Sequence, residues 1–94
     1  MVDKIYDWIK QGKHVLIKDK SKIVYHFYPA LKKDHFAANV FGIEYGTFGS
    51  PIPFNDESMQ KSIRNQATED NVEFYEDGDS AKAELLKFGY KYAS

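Results

Sequence analysis

Cysteine is absent from this chain of 94 residues, and Trp, Pro and His are scarce, with counts of one, three and three. Without a thiol the chain can form no disulfide, no thiolate zinc site and no iron–sulfur ligand set. Its first ten residues lack the apolar core of a signal peptide, and no window approaches the roughly 18 apolar residues of a membrane helix. We therefore expect a cytoplasmic location and no membrane partner.

The motifs of common enzyme classes are also missing. The chain contains neither a G-x-G-x-x-G nor a G-x-x-x-x-G-K-[ST] phosphate loop, and the residues around Ser50 do not match a G-x-S-x-G elbow. The three histidines, His14, His26 and His35, provide no i, i+4 pair for a helical zinc motif. We predict a protein that is not an enzyme and that uses no cofactor and no metal.

What the chain does contain is typical of one folded domain. Hydrophobic residues make up 43%, aromatic residues 16% and charged residues 29%, with a formal net charge of -1. Stable domains run from about 50 to 200 residues, so we predict a single domain over residues 1–94. The charge is uneven, because residues 1–35 carry eight Lys and four Asp while residues 36–94 carry ten acids, four Lys and one Arg.

The N-terminal third of the chain predicts a helix followed by a β-hairpin. Residues 2–11 place apolar side chains at the i, i+3, i+4 and i+7 positions of one helical stripe, and Gly12 follows where a helix often ends. Residues 14–18 and 23–28 are rich in β-branched and aromatic residues and flank a polar turn. Pro29 closes the second strand.

The register of this hairpin follows from its pleat, because five of its apolar residues have odd numbers, namely Val15, Ile17, Ile23, Tyr25 and Phe27. They share one face only if the loop has an odd length, so we predict the three-residue connection Lys20-Ser21-Lys22, although it lacks the usual Gly. His14 and His26 then lie diagonally on the other face, where they would need an added carboxylate to hold an ion. That other face carries His14, Lys18, Val24, His26 and Tyr28.

A third strand, a loop and a second helix come next. Residues 36–45 alternate as a strand does, whereas residues 46–54 contain two Gly and two Pro and are expected to be irregular or edge structure. Asn55 or Asp56 then caps the second helix. The apolar stripe of that helix is thin, so we predict that it lies on the surface.

A fourth strand and a last helix complete the order α-β-β-β-α-β-α. Residues 71–76 predict a strand, and Asp79 or Ser80 caps the third helix. We expect an α+β fold with a mainly antiparallel sheet of three or four strands, and with the first and third helices on its apolar face. The fourth strand either makes a parallel pair through a right-handed crossover or lies at an edge.

The loop at residues 46–54 is the predicted protein-binding surface. Phe48, Ile52 and Phe54 lie among glycines and prolines that pre-shape the segment, which reduces the cost of ordering it on binding. We therefore predict an inhibitor or adaptor whose partner is another protein, and its composition resembles that of small bacterial and phage accessory proteins. If the loop packs inward, the hairpin face that carries the histidines is the next candidate.

Nucleic-acid binding is the alternative function. Lys18, Lys20 and Lys22 surround a hairpin that also carries Tyr28, and single-strand binders combine such positive charge with stacking rings. The negative net charge and the position of the single Arg, Arg64, outside the hairpin both weigh against this function.

A run of acidic residues offers one more surface. It does not match the EF-hand loop, but it can present negative charge to a cation or to a basic partner. The simpler interpretation is a helix end, an edge strand whose glutamates discourage pairing, and a capped turn. The run consists of Glu69, Asp70, Glu73, Glu76, Asp77 and Asp79.

Overall fold

A computed structural model describes residues 1–19, 22–42 and 51–90 of the chain, together with the backbone of residues 46–47. The predicted α+β class and the predicted order of elements are confirmed, with two short strands added before the second helix. Across the described ranges, no helix combines the length and the apolar character needed to span a membrane. The elements are α1 (Val2–Lys10), β1 (His14–Lys18), β2 (Val24–Pro29), β3 (His35–Phe41), β4 (Gly46–Thr47), β5 (Ile52–Pro53), α2 (Glu57–Gln66), β6 (Val72–Tyr75) and α3 (Gly78–Lys87).

The strands form one sheet in the order β4-β3-β2-β1-β6, and β5 also pairs with β3. All pairs between the described strands are antiparallel, so the predicted parallel crossover pair is wrong, and β6 takes the edge position that was its alternative. The reason is that the chain has already reversed after β3, so that β4 and β5 both run antiparallel to β3 before α2 begins. The helix α2 connects β5 to β6, and β6 runs in the same direction as β5. It is therefore antiparallel to β1.

The hairpin has the predicted register. Ile17 pairs with Tyr25, so the numbers of paired residues have an even sum. The backbone N–H of Asp19 donates to the Ile23 carbonyl at 2.8 Å, which leaves a connection of residues 20–22. Lys22 has a φ of 65° and occupies the left-handed position where such loops usually place Gly.

Helices cover both faces of the sheet. α1 and α2 pack on one face, where Ile63 of α2 is 1% exposed, and α3 packs on the other face through Leu85. The prediction that the first and third helices share a face is therefore wrong, whereas α2 lies on the surface as predicted, with Ile63 as its one buried residue. The physical reason lies in β1, whose buried run Val15-Leu16-Ile17 puts apolar side chains on both faces and so requires cover on both.

The two later helices begin at aspartate caps. The side chain of Asp56 accepts a hydrogen bond from the Met59 N–H at 2.8 Å, as one of the two predicted caps of α2. For α3 the cap is Asp77, which accepts from the Ser80 N–H at 2.8 Å. This corrects the predicted caps Asp79 and Ser80, because the Asp at the end of the β6 turn already satisfies the first turn of the helix.

Candidate functional site

The loop residues predicted to bind a partner pack inward where the structure describes them. Ile52 is 8% exposed and belongs to the core under α1, because β5 pairs it with Phe36 of β3. The half-buried ring of Phe54 lies 5.0 Å from Tyr6 and 5.1 Å from Phe36 between centroids. Phe48 lies outside the described residues. Ile52 and Phe54 thus do not form the exposed patch that the sequence suggested.

The structure describes two of the three hairpin lysines predicted for nucleic-acid binding, Lys18 and Lys22, and Lys18 contacts acidic side chains. The Nζ atom of Lys18 lies 3.6 Å from a carboxylate oxygen of Glu73 and 3.6 Å from one of Glu84. These acids offset the charge that a phosphate would need. Lys22 is exposed, and Lys20 lies outside the described residues.

Tyr28, the fourth residue of that prediction, belongs to a polar cluster between the sheet and α3. His14 Nδ1 and His26 Nε2 are hydrogen-bonded at 2.9 Å. The Tyr28 ring stacks on His14 with 5.6 Å between centroids, and its hydroxyl accepts a hydrogen bond from Asn39 Nδ2 at 3.2 Å. Among the described residues, no group of three or more His, Cys, Asp or Glu side chains could hold a metal ion.

Burial keeps the two histidines neutral. His26 is 1% exposed, and its burial, reinforced by His14 and Lys82, lowers the pKa of His26 to about 3. Burial also lowers the pKa of His14, an effect that Asp77 opposes and Lys82 strengthens. Gly78 packs so closely that a Cβ there would lie 3.2 Å from His14 Cε1. His14 and His26 are therefore tightly packed against each other, and His14 also packs against the start of α3.

The edge of the sheet at β6 is a different kind of surface, because its backbone groups are open to a new strand. Among the described strands β6 pairs with β1 alone, whereas the opposite edge, on β3, carries β4 and β5. The Lys18 N–H donates to the Asn71 carbonyl at 3.0 Å, so every second residue from Asn71 onward directs its backbone groups toward β1. Val72 and Phe74 therefore direct their N–H and C=O groups away from the sheet.

An aromatic groove runs beside these outward-facing groups. Phe74 is 42% exposed, and its ring contacts Trp8 of α1 with 4.8 Å between centroids. The ammonium group of Lys4 lies 5.3 Å from the centre of the Trp8 ring, and that of Lys13 lies 4.7 Å from the centre of the Phe74 ring. This β6 groove has a volume of about 640 Å³ and is lined by Met1, Lys4, Trp8, Glu69, Val72, Glu73 and Phe74.

Two carboxylates, those of Glu69 and Glu73, line the β6 groove, and they belong to a longer acidic segment. All six acids of the segment 69–79 are exposed, and the segment contains no Lys or Arg. Glu73 accepts a hydrogen bond from the Tyr75 hydroxyl at 2.5 Å. This bond and the nearby Lys18 lower the pKa of Glu73 against the opposing effect of burial, so that the carboxylate is charged at neutral pH.

The sequence indicated only part of this site. It predicted the strand, and it offered two alternatives that bear on the site, namely the edge position of that strand and the acidic run as a surface for a basic partner. It missed the contact between Trp8 and Phe74, because that contact depends on how α1 crosses the sheet. One signal was available, since Trp8 lies outside the apolar stripe of α1 formed by Val2, Ile5, Tyr6 and Ile9.

The chain matches no protein-family model, no curated protein and no solved structure. The case for its function therefore rests on the geometry of the site.

Proposed function

We propose that this protein is a small non-enzymatic interaction module that binds an extended segment of a partner protein as an added strand on β6. The observation that carries the proposal is the open edge of β6 beside the β6 groove. An added strand would pair with the outward N–H and C=O groups of Val72 and Phe74. In such complexes the backbone hydrogen bonds supply affinity, and the neighbouring pocket selects side chains.

The β6 groove gives this strand addition an anchor. The exposed part of the Phe74 ring and its neighbour Trp8 form an aromatic surface, and residues of this type commonly dominate binding energy once water is excluded from them. A side chain of the partner that covers Phe74 would remove this apolar surface from water. The proposed interaction surface therefore lies at the β6 edge of the sheet, opposite the β3 edge with which Ile52 of the predicted loop pairs.

An inhibitor or adaptor role fits a chain that presents one strand edge and lacks recognisable catalytic motifs. We also propose that the protein acts in the cytoplasm, since it contains no cysteine to form a stabilising disulfide.

Replacing Phe74 by proline tests the strand addition. Phe74→Pro removes an N–H that points away from β1, so the pairing of β6 with β1 should survive. Phe74→Ala is the matched control, because it removes the ring and keeps the N–H. Peptides should first be selected on the wild-type protein from a random display library, and their dissociation constants should then be measured on both variants.

We expect Phe74→Ala to weaken the selected peptides by about 30-fold, as for an interface anchor worth about 2 kcal/mol. Phe74→Pro should weaken them further, because a backbone hydrogen bond is also lost. Bound peptide should slow hydrogen exchange at the amides of Val72 and Phe74. Selected peptides that bind Phe74→Pro as tightly as wild type, with both variants folded by circular dichroism, would overturn the proposal.

A further inference from the structure

We infer that the strand received by β6 comes from a basic partner, and that it alternates Lys or Arg with apolar residues. This inference rests on the proposed function and adds the chemistry of the partner. It also commits to a partner other than a second copy of this chain.

The charge around β6 favours a basic segment. Within the part of the chain that the structure describes, lysines contact two of the six exposed acids, with 3.6 Å between Lys18 and Glu73 and 3.7 Å between Lys13 and Glu76. The side chains of Glu73 and Glu76 remain 53% and 74% exposed, so a basic side chain of a partner can reach both. Complementary charge of this kind accelerates association and disfavours partners of the wrong sign.

The same charge argues against a second copy. If two β6 strands paired with each other, the six carboxylates of one chain would approach those of its neighbour. Like charges across a strand pair are destabilising. A basic segment replaces this repulsion by attraction.

The pleat of β6 explains why the basic and apolar residues should alternate. Phe74 lies opposite Val15 and Glu73 lies opposite Leu16, so the two side chains are on opposite faces of the sheet. The residues of an added strand alternate between the same two faces. Those on the Phe74 face meet the aromatic surface, and those on the Glu73 face meet a carboxylate.

Charges already present on the groove side favour an apolar residue there. On this side the charges are already balanced, because the ammonium groups of Lys4 and Lys13 lie over the two rings, Lys13 contacts Glu76 at 3.7 Å and Glu69 lines the groove.

On the other face, Glu73 shares Lys18 with Glu84. Glu84 also contacts Lys87 at 3.4 Å, so Glu84 has a second cation and Glu73 does not depend on sharing Lys18 alone. The Glu73 side chain is 53% exposed, and a basic side chain of the partner can still approach it there.

Three peptide display libraries can test this inference. Each library has ten-residue peptides in which alternate positions are fixed as Lys, Ser or Glu, and the positions between them vary among apolar residues. The libraries are selected on the wild-type protein, with Phe74→Pro used to discard peptides that bind elsewhere. We expect the Lys library to yield the tightest binders, at least ten-fold tighter than the best Ser peptides, and the Glu library to yield none.

The variant E73Q/E76Q should remove most of the advantage of the Lys peptides over the Ser peptides. The control E57Q changes an exposed acid of α2 and should leave that advantage intact. The advantage should also shrink as salt is raised from low to physiological concentration, since exposed charges are screened.

The remaining outcomes separate the two proposals. If Ser or Glu peptides bind as well as Lys peptides and Phe74→Pro abolishes all of them, the basic partner is wrong and the strand addition stands. If no library yields a binder that depends on Phe74, the strand addition fails as well. If the protein forms a dimer in solution that Phe74→Pro abolishes, a second copy is the occupant and the inference of a basic partner is overturned.

Discussion

The two faces of the sheet bury different kinds of side chain, although β1 contributes residues to both faces. The face under α1 and α2 is a continuous apolar and aromatic core that includes Ile5, Phe27 and Phe36. The face under α3 buries the polar side chains of His26 and Asn39 beside a smaller apolar cluster. The first face therefore depends on the amount of apolar surface buried, and the second depends on keeping buried polar groups neutral and hydrogen-bonded.

The largest expected effect comes from the aromatic face. Phe36 is fully buried and its ring contacts Tyr6, Phe27 and Phe54. Phe36→Ala should lower the free energy of unfolding by about 3 to 5 kcal/mol, through lost burial and the cavity left behind. Leu31→Ala, at a fully exposed residue, is the control and should change it by less than about 0.5 kcal/mol. Urea denaturation measures both, and equal effects would contradict the assignment of this face as the main core.

The pH dependence of stability should come from the face under α3. His14 and His26 have lowered pKa values in the folded protein, while an unfolded histidine titrates near about 6.5. Below that pH the unfolded chain binds more protons than the folded chain, so stability falls as pH decreases from about 6.5 toward the lowered pKa values. Each histidine contributes a slope of up to about 1.4 kcal/mol per pH unit.

Denaturation between pH 5 and 7 measures this slope above the range in which carboxylates titrate. The variant H14Q/H26Q carries no titrating group at the pair and should show a nearly flat profile in that range. An unchanged slope in the variant would show that groups other than the pair are responsible.

A smaller effect of opposite sign is expected at Tyr6, on the aromatic face. Its hydroxyl is buried and has no hydrogen-bond partner among the described residues, and burial together with Asp56 raises its pKa to about 12. Tyr6→Phe removes an unsatisfied polar group, so it should raise the free energy of unfolding by about 1 kcal/mol. A loss of stability in a thermal melt would mean that the hydroxyl is satisfied in solution.

The smallest effect is expected at Lys18, whose ion pairs lie on the surface beside α3. Exposed pairs contribute about 0 to 1 kcal/mol, and the contacts of Lys18 with Glu73 and Glu84 are long at 3.6 Å. Lys18→Met keeps most of the apolar stem and should lower stability by less than about 1 kcal/mol. A larger loss in urea denaturation would show that ion pairs, in addition to the buried polar cluster, hold this face together.

The comparison of the two faces also shows what the sequence can and cannot predict. The odd and even numbers of the hairpin residues predicted correctly which side chains share a face, because side chains alternate strictly along a strand. They did not predict which helix covers each face. That choice depends on long-range packing, and the thin stripe of α2 did not show that Ile63 is buried in the core with Met59 packed beside it.

The functional surfaces were harder to predict for a related reason. The segment Pro51-Ile52-Pro53 has the composition of an exposed loop, yet its two-residue strand pairs with β3 and carries Ile52 inward. Tertiary contact overrode local propensity there. The β6 groove, in contrast, combines residues 1–8 with residues 69–74. Only its acidic residues could be recognised in the sequence, because they belong to the acidic run.

The two edges of the sheet differ in the length of their strands. This difference limits how many partner strands one chain can bind. At the β3 edge the chain adds β4 and β5, two strands of two residues each, and strands this short are poor templates for further pairing. Among the described strands β6 is the one open edge of more than two residues, so the protein can accept one strand there and these strands offer no second site for further pairing. We therefore expect binding to saturate at one segment per chain, and association through β6 to stop at closed pairs instead of extending into fibres.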